Sequence, residues 1–331
     1  MRNPYFITLL ALFIMLIVSL AIGSVFIPPA ELWRVITGSS TSDIFSTILW
    51  NIRLPRTMLI ALVGAALAGS GAAYQGLFRN PLADPYLIGV ASGAGLGAIL
   101  AMSIRWPYST LGLFAVPMAA FLSSLLTVYL VYTFAQIGQT VPTTNLILSG
   151  VAISSFTVSL TSFVMLRSTG EVRRAIGWLL GGVSLVGWDV TLALIPYLAV
   201  GMTALILTGC SLNLLQFGDD QATQMGLNVR RAKFVIIIAS SLVTAAAVSF
   251  AGIIGFVGLI VPHIVRIWWG VDYRRLIPLS ILGGASVLLV ADVLSRILLA
   301  PEELPVGIVT ALAGAPFFLW VLRRAKNQGF W

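Results

Sequence analysis

The residue types that most often carry chemistry are scarce in this chain and poorly spaced for it. His263 is the single histidine and Cys210 the single cysteine. A multi-histidine metal site, a cysteine-based metal cage and an internal disulfide are therefore all excluded within the chain. The lysines are Lys233 and Lys326, each preceded by alanine. A phosphate-binding loop needs Gly-Lys-Ser/Thr after a glycine-rich turn, so this chain does not bind ATP in that manner. Without a histidine pair, a metal cluster or paired catalytic acids, an intramembrane enzyme is disfavoured. Asp84, Asp189 and Asp292 fall toward the ends of apolar runs, whereas ion-coupled carriers usually hold ionisable groups near the midplane. Asp292 and Arg296 stand four apart on one helix, a spacing that pairs them. The polar exception is LLQFGDDQATQMGLNVRRAK at 214–233. Here Gly218 and Gly226 bracket a short turn or two of helix, Asp219 and Asp220 are adjacent, and basic residues follow.

The elements that position these residues are apolar. The 331 residues are 59% hydrophobic and 9% charged, with a mean hydropathy of +1.01. Soluble domains carry about 25% charged residues, so the composition specifies an integral membrane protein. The net charge of +8 is scattered among loops, as in membrane proteins, and does not point to nucleic acid. About 20 apolar residues follow Arg2, too long a run for a signal peptide, and form a first span.

A hydrocarbon core of ~30 Å takes about 20 apolar residues as helix. Runs of that kind lie near 6–26, 56–77, 86–104, 111–135, 142–166, 188–210, 231–250, 252–269, 276–299 and 306–323. The expected fold is all-α, with about ten transmembrane helices in one polytopic domain over 1–331. The break at 250–256 is the least defined. An extracytoplasmic loop is expected at 28–55, with an amphipathic AELWRVI, and a short surface helix in EVRRAIGWLL at 171–180. An even number of spans puts both termini on one side. Basic residues divide 11 against 8 in favour of a cytoplasmic N-terminus, which places 214–230 in the cytoplasm. Spans 2–5 echo spans 7–10, and units starting five spans apart would be inverted, as in many transporters. The small-residue stretches GAALAGSGAAYQG and GVASGAGLG let helices approach closely; tight packing is their ordinary use, and lining a pore is the other.

On physical grounds alone the 214–233 module is either a solvated loop or a rigid contact for a separate ATPase. The energy source is then ATP hydrolysed elsewhere, or an ion gradient, in which case the chain is a secondary transporter; a passive channel needs neither.

The motifs IRLPRT (52–57), GLFRNPLADPYLIGVASGAG (76–95), FGDDQATQMGL (217–227), GIIGFVGLIVPHIVR (252–266), ADVLSR (291–296) and ELPVGIVTALAGAPFF (303–318) occur in order along the chain. In this it resembles the FecCD-type permeases of ABC importers, which carry cobalamin, haem and iron–siderophores. The resemblance implies the type II importer fold. It implies a homodimer or paired heterodimer of permeases in the cytoplasmic (inner) membrane, two cytoplasmic ATPases that bind ATP and Mg2+, and an extracytoplasmic binding protein. It implies no cofactor, catalytic residue or metal on this chain. Gly218, Asp219, Asp220, Ala222, Met225 and Gly226 would form the ATPase contact. Arg53, Arg56 and Arg296 would receive carboxylates of the binding protein, since guanidinium pairs bidentately with them; interfacial anchoring by snorkelling is the other use of such arginines. Thr143 and Thr144 would form the cytoplasmic gate, with Asn80 and Leu82 a second constriction. Spans five and ten would line the path, with Leu146, Ile147 and Val309 in its wall. The same Pro-His recurs across the family regardless of cargo, so the resemblance implies a structural or ATPase-facing role for His263 over haem ligation. Cys210 is read as inert packing.

Overall fold

A computed structural model of the protein describes residues 3–23, 25–39, 43–104, 106, 110–138, 140–167, 172–183 and 186–326. Among these residues the only extended pairing is a bridge between Ile137 and Thr140 that closes a turn. The helices are α1 (Pro4–Ala21), α2 (Pro29–Ile36), α3 (Asp43–Thr47), a π-helical turn (Ile48–Arg53), α4 (Leu54–Leu77), α5 (Val90–Met102), α6 (Thr110–Ala135) and α7 (Thr143–Arg167). They continue as α8 (Val172–Leu179), α9 (Trp188–Leu207), α10 (Gly209–Leu215), α11 (Asp219–Gln224), α12 (Val229–Ala251), α13 (Val257–Trp269), α14 (Tyr273–Ile297) and α15 (Val306–Lys326).

The local causes are conventional. Pro4 opens α1 while the Asn3 side chain accepts from the Tyr5 N–H at 3.1 Å, capping a helix whose proline has no donor to lose. Asn228 and Asp272 cap α12 and α14 in the same way. Among the described residues, seven helices are long and apolar enough to cross a membrane, and α5, α13 and Val306–Val321 of α15 are shorter apolar helices. Each of the ten apolar runs in the sequence coincides with one of these. The chain is thus a multi-pass membrane protein. The amphipathic AELWRVI lies in α2, and EVRRAIGWLL contributes α8.

The core is built on α4, which is buried along nearly its whole length and packs antiparallel to α14, with α12, α13 and α9 around it. Gly64 and Gly284 face each other there. A Cβ on either would run into the carbonyl oxygen of the other, so the two backbones touch directly, the packing mode available between helices in lipid. Tight packing, the ordinary use of small residues, is what α4 displays.

Two elements depart from a simple bundle of full-length spans. α5 and α13 have 13 residues each, about 20 Å of helix, and each begins at a left-handed residue, Gly89 (φ +84) or Phe256 (φ +70). Irregular backbone leads into both. The Tyr86 hydroxyl joins the two leaders: it donates to the Ile254 carbonyl at 2.8 Å and accepts from the Ile254 N–H at 3.3 Å. Non-helical backbone inside a membrane protein needs such internal partners. The ill-defined break expected at 250–256 is this unwound segment. The same order, a long helix, a half-length helix and two further helices, occurs in α4–α7 and again in α12–α15.

Candidate functional site

The polar module forms at one end of the bundle, where α4 finishes and α12 and α14 start. α11 is six residues long and would not hold together alone, because nucleating so short a helix in water is unfavourable. Its ends are therefore fixed by backbone. Gly218 (φ +103) precedes it and Gly226 (φ +87) follows it. At the exit, Leu227 N–H donates to the Ala222 carbonyl at 3.0 Å and Gly226 N–H to that of Thr223 at 2.9 Å. This is a Schellman cap, which requires a left-handed residue at the position Gly226 occupies.

Three side-chain clasps hold the module to the bundle. Asn213 of α10 donates to Asp272 Oδ1 at 2.7 Å and accepts from the Tyr273 N–H at 2.9 Å, tying α10 to the start of α14. Gln216 donates to the Gly76 carbonyl at 3.0 Å, tying the link between α10 and α11 to the end of α4. Asp219 Oδ2 lies 2.5 Å from Lys233 Nζ, tying α11 to α12. The Asp272 carboxyl is held below the usual carboxylate range chiefly by the Asn213 amide; burial opposes this, and the Arg274 N–H and guanidinium add to it.

The module's outer face is Phe217, Asp220, Gln221, Gln224, Met225 and Gly226, all exposed. Ala222 is fully buried and Asp219 half-buried. Of the six residues assigned to an ATPase contact, Ala222 faces inward and serves as an anchor. Phe217 and Met225 supply the apolar part of the free face, on either side of α11.

The polar chemistry at the opposite end is an arginine–carboxylate cluster. Arg56 reaches Asp292 at 3.0 Å and Glu303 at 2.7 Å, and Arg296 reaches Asp292 at 3.0 Å. Arg53 donates to the carbonyls of Leu20, Ala21 and Val25. Arg296 donates to those of Ser19 and Ile22. These carbonyls belong to the end of α1 and the turn after it, where a helix leaves its last acceptors unpaired.

A match to the FecCD transport family runs over residues 10–324. The chain belongs to the FecCD transport family. It is 42% identical over 322 residues to an uncharacterised ABC transporter permease protein, YvrB, of Bacillus subtilis, covering 95% of this chain and 91% of that protein. It is 39% identical to the hemin transport system permease protein HmuU of Yersinia pestis, covering 97% and 96%. It is 45% identical over 276 residues to the cobalamin import system permease protein BtuC of Halobacterium salinarum, covering 83% and 73%. A solved metal-chelate type ABC transporter in an inward-facing conformation superposes with a TM-score of 0.85 at 30% identity, covering 96% of this chain and 98% of that one.

As a FecCD permease, the chain places its other expected residues unevenly. Thr143 and Thr144 open α7, half-buried and exposed respectively. Asn80 follows the cap of α4, whose left-handed residue is Arg79 (φ +51), and Asn80 Oδ1 accepts from the Leu82 N–H at 2.9 Å. Arg53 and Arg296 are 6% and 5% exposed, so in this chain they hold the end of α1 and only Arg56 and Glu303 approach the surface. Leu146 and Val309 are likewise buried. The exposed residues of α7 include Thr144, Leu148, Val151, Ser155, Phe156, Ser159, Ser162 and Phe163. Ser155, Ser159 and Ser162 each donate to the carbonyl four residues back. Cys210 is exposed, which corrects its reading as packing. His263 is half-buried in α13. Lys233, Asn213, Gln216 and Asp272, which fasten the module, carried no sequence signal beyond Lys233 being one of two lysines in the chain.

Proposed function

We propose that this FecCD permease is the membrane-spanning subunit of an ATP-driven importer for a metal chelate such as cobalamin, haem or a ferric siderophore. The relatives named for hemin and cobalamin support that cargo class. Two copies of the chain enclose a path along α7 and α15, with α4–α7 and α12–α15 as inverted repeats and the half-length α5 and α13 included with α15 among ten spans. Both termini and α11 face the cytoplasm across the inner membrane. The free face of α11, Phe217, Asp220, Met225 and Gly226, seats in a partner ATPase that holds ATP and Mg2+, with Gly218 and Asp219 fixing its approach. Thr143 and Thr144, with Asn80 and Leu82, close the cytoplasmic end. A binding protein docks over Arg56 and Glu303, while Arg53 and Arg296 keep the surface beneath in shape.

One observation carries the reading: α11 is a short helix with a free outer face, capped by a left-handed glycine and clasped to α4, α12 and α14. A solvated loop has no use for three such clasps. A rigid lever does, since closure of an ATPase dimer can shift the permease only through a differential contact with its two states. An ion-driven carrier gains no support, because Asp292 is neutralised by Arg56 and Arg296. The experiment is uptake of hemin and of cyanocobalamin, each with its cognate binding protein, into proteoliposomes. Uptake must require ATP and the ATPase subunit and persist when ion gradients are dissipated; uptake lost with the gradients alone overturns the reading.

A further inference from the structure

Among the described residues, Lys233 is the buried basic side chain of the α11 end. It stands in the first turns of α12, is 4% exposed, and its ammonium touches two separate elements. One contact is to Asp219 of α11 at 2.5 Å; the other is to the Val141 carbonyl at 3.4 Å. Val141 lies two residues before Thr143, in the stretch between the Ile137–Thr140 bridge and the start of α7. Burying an ammonium is costly unless it is paired and hydrogen-bonded. Lysine supplies a compact charge with three donors on a flexible stem, so one group can hold two moving parts at once.

We propose that Lys233 is a positioning residue that transmits displacement of α11 to the Val141–Thr144 segment at the mouth of α7. The proposal rests on the reading of α11 as the ATPase contact. α11 is clasped to α4 and α14 only through its neighbour α10 and the linking Gln216. Its own direct clasp is Lys233, and the second partner of Lys233 is the backbone leading into the gate. The charge-assisted contact to Asp219 is the strong one, and the longer contact to a neutral carbonyl is the weaker. Motion of α11 therefore carries the ammonium with it, and the carbonyl of Val141 follows or loses its donor. A lysine held only for packing would not need a carboxylate from the module and a carbonyl from the gate segment together.

The test uses the full transporter, assembled with its ATPase and binding protein in proteoliposomes. Cys210→Ser removes the only cysteine, and Thr144→Cys then reports gate accessibility through its rate of maleimide labelling. In this background labelling changes between the nucleotide-free and ATP/vanadate-trapped states. With Lys233→Met that nucleotide response falls by at least about fivefold, the scale of one partly buried charge pair, while the ATPase stays bound and continues to hydrolyse ATP. Lys233→Arg retains most of the response. Asp219→Asn is the second arm: it lowers the response, and the double variant lowers it no further, because both act through one contact. It also serves if Lys233→Met does not accumulate in membranes. A full response in Lys233→Met or in Asp219→Asn, or additive losses in the double variant, overturns the role of Lys233. Absence of any nucleotide response in the Thr144→Cys parent, with the ATPase bound, overturns the reading of α11 itself.

Discussion

The hydroxyl of Tyr86 serves both backbone polar groups of Ile254, and so joins the unwound leaders of α5 and α13. Each leader exposes peptide groups that a continuous helix would have satisfied, and one side chain from the first leader serves those of Ile254 in the second. Tyr86→Phe leaves the Ile254 carbonyl without its donor. We expect a loss of about 1–3 kcal/mol, read as a lower midpoint of thermal unfolding in detergent. Unchanged stability would mean that the leaders find other partners.

Gly71 gives a second stability prediction. A Cβ at this position would meet the carbonyl oxygen of Gly258, so α4 and α13 must separate to admit it. Gly71→Ala is expected to cost about 1–3 kcal/mol by overpacking. Alanine at half-buried Gly177, where a Cβ meets nothing, should be tolerated in the same assay.

The Asn213–Asp272 clasp should be pH-dependent. Asp272 has a depressed carboxyl, for which the Asn213 amide is the leading cause. Such a group contributes stability that is fully present above its unfolded value, about 3.9, and is lost as pH falls through the lower folded value. Unfolding measured from pH 7 down to pH 3 should show Asp272→Asn less stable than the parent at neutral pH, with the gap closing in the acid range. A gap that stays constant would separate the clasp from the charge.

Glu303 holds one side of the Arg56 fork at 2.7 Å and is itself half exposed. If a binding-protein carboxylate docks on Arg56, Glu303 competes with it. Glu303→Gln is then expected to tighten docking at low salt by up to about fivefold, the worth of an exposed pair, with the gain vanishing at high salt. Surface plasmon resonance on nanodisc-embedded transporter reads this directly; weaker docking would contradict the competition.

The legible parts of this molecule were those set by length and composition. A run of twenty apolar residues has few alternatives, and glycines on both sides of DDQATQM are enough to mark a short capped helix. What the sequence could not say was which way a side chain faces once helices meet. Arg53 and Arg296 look like surface arginines until the end of α1 is folded over them, and their partners are backbone carbonyls that no residue letter encodes. Leu146 and Val309 look like any apolar wall residues, yet both turn into the core. The serines of α7, unremarkable in the sequence, share an exposed face with Val151 because 155, 159 and 162 fall on one side of the helix. Lys233 reads as an ordinary basic residue beside a span, and only the approach of α11 and of the α6–α7 turn makes it a junction. The half-length of α5 and α13 was hidden too, because the residues just before them, YLIG (86–89) and GIIGF (252–256), are as apolar as the helices they begin.

The central claim is that α11 is gripped by a separate nucleotide-hydrolysing subunit, and Met225, exposed beside the cap, is the position from which to ask. A photo-crosslinking amino acid placed at Met225 in the assembled transporter should link to the ATPase subunit in high yield, and the yield should change when ATP is trapped by vanadate. Crosslinks confined to lipid, or reaching the extracytoplasmic binding protein, would contradict the account.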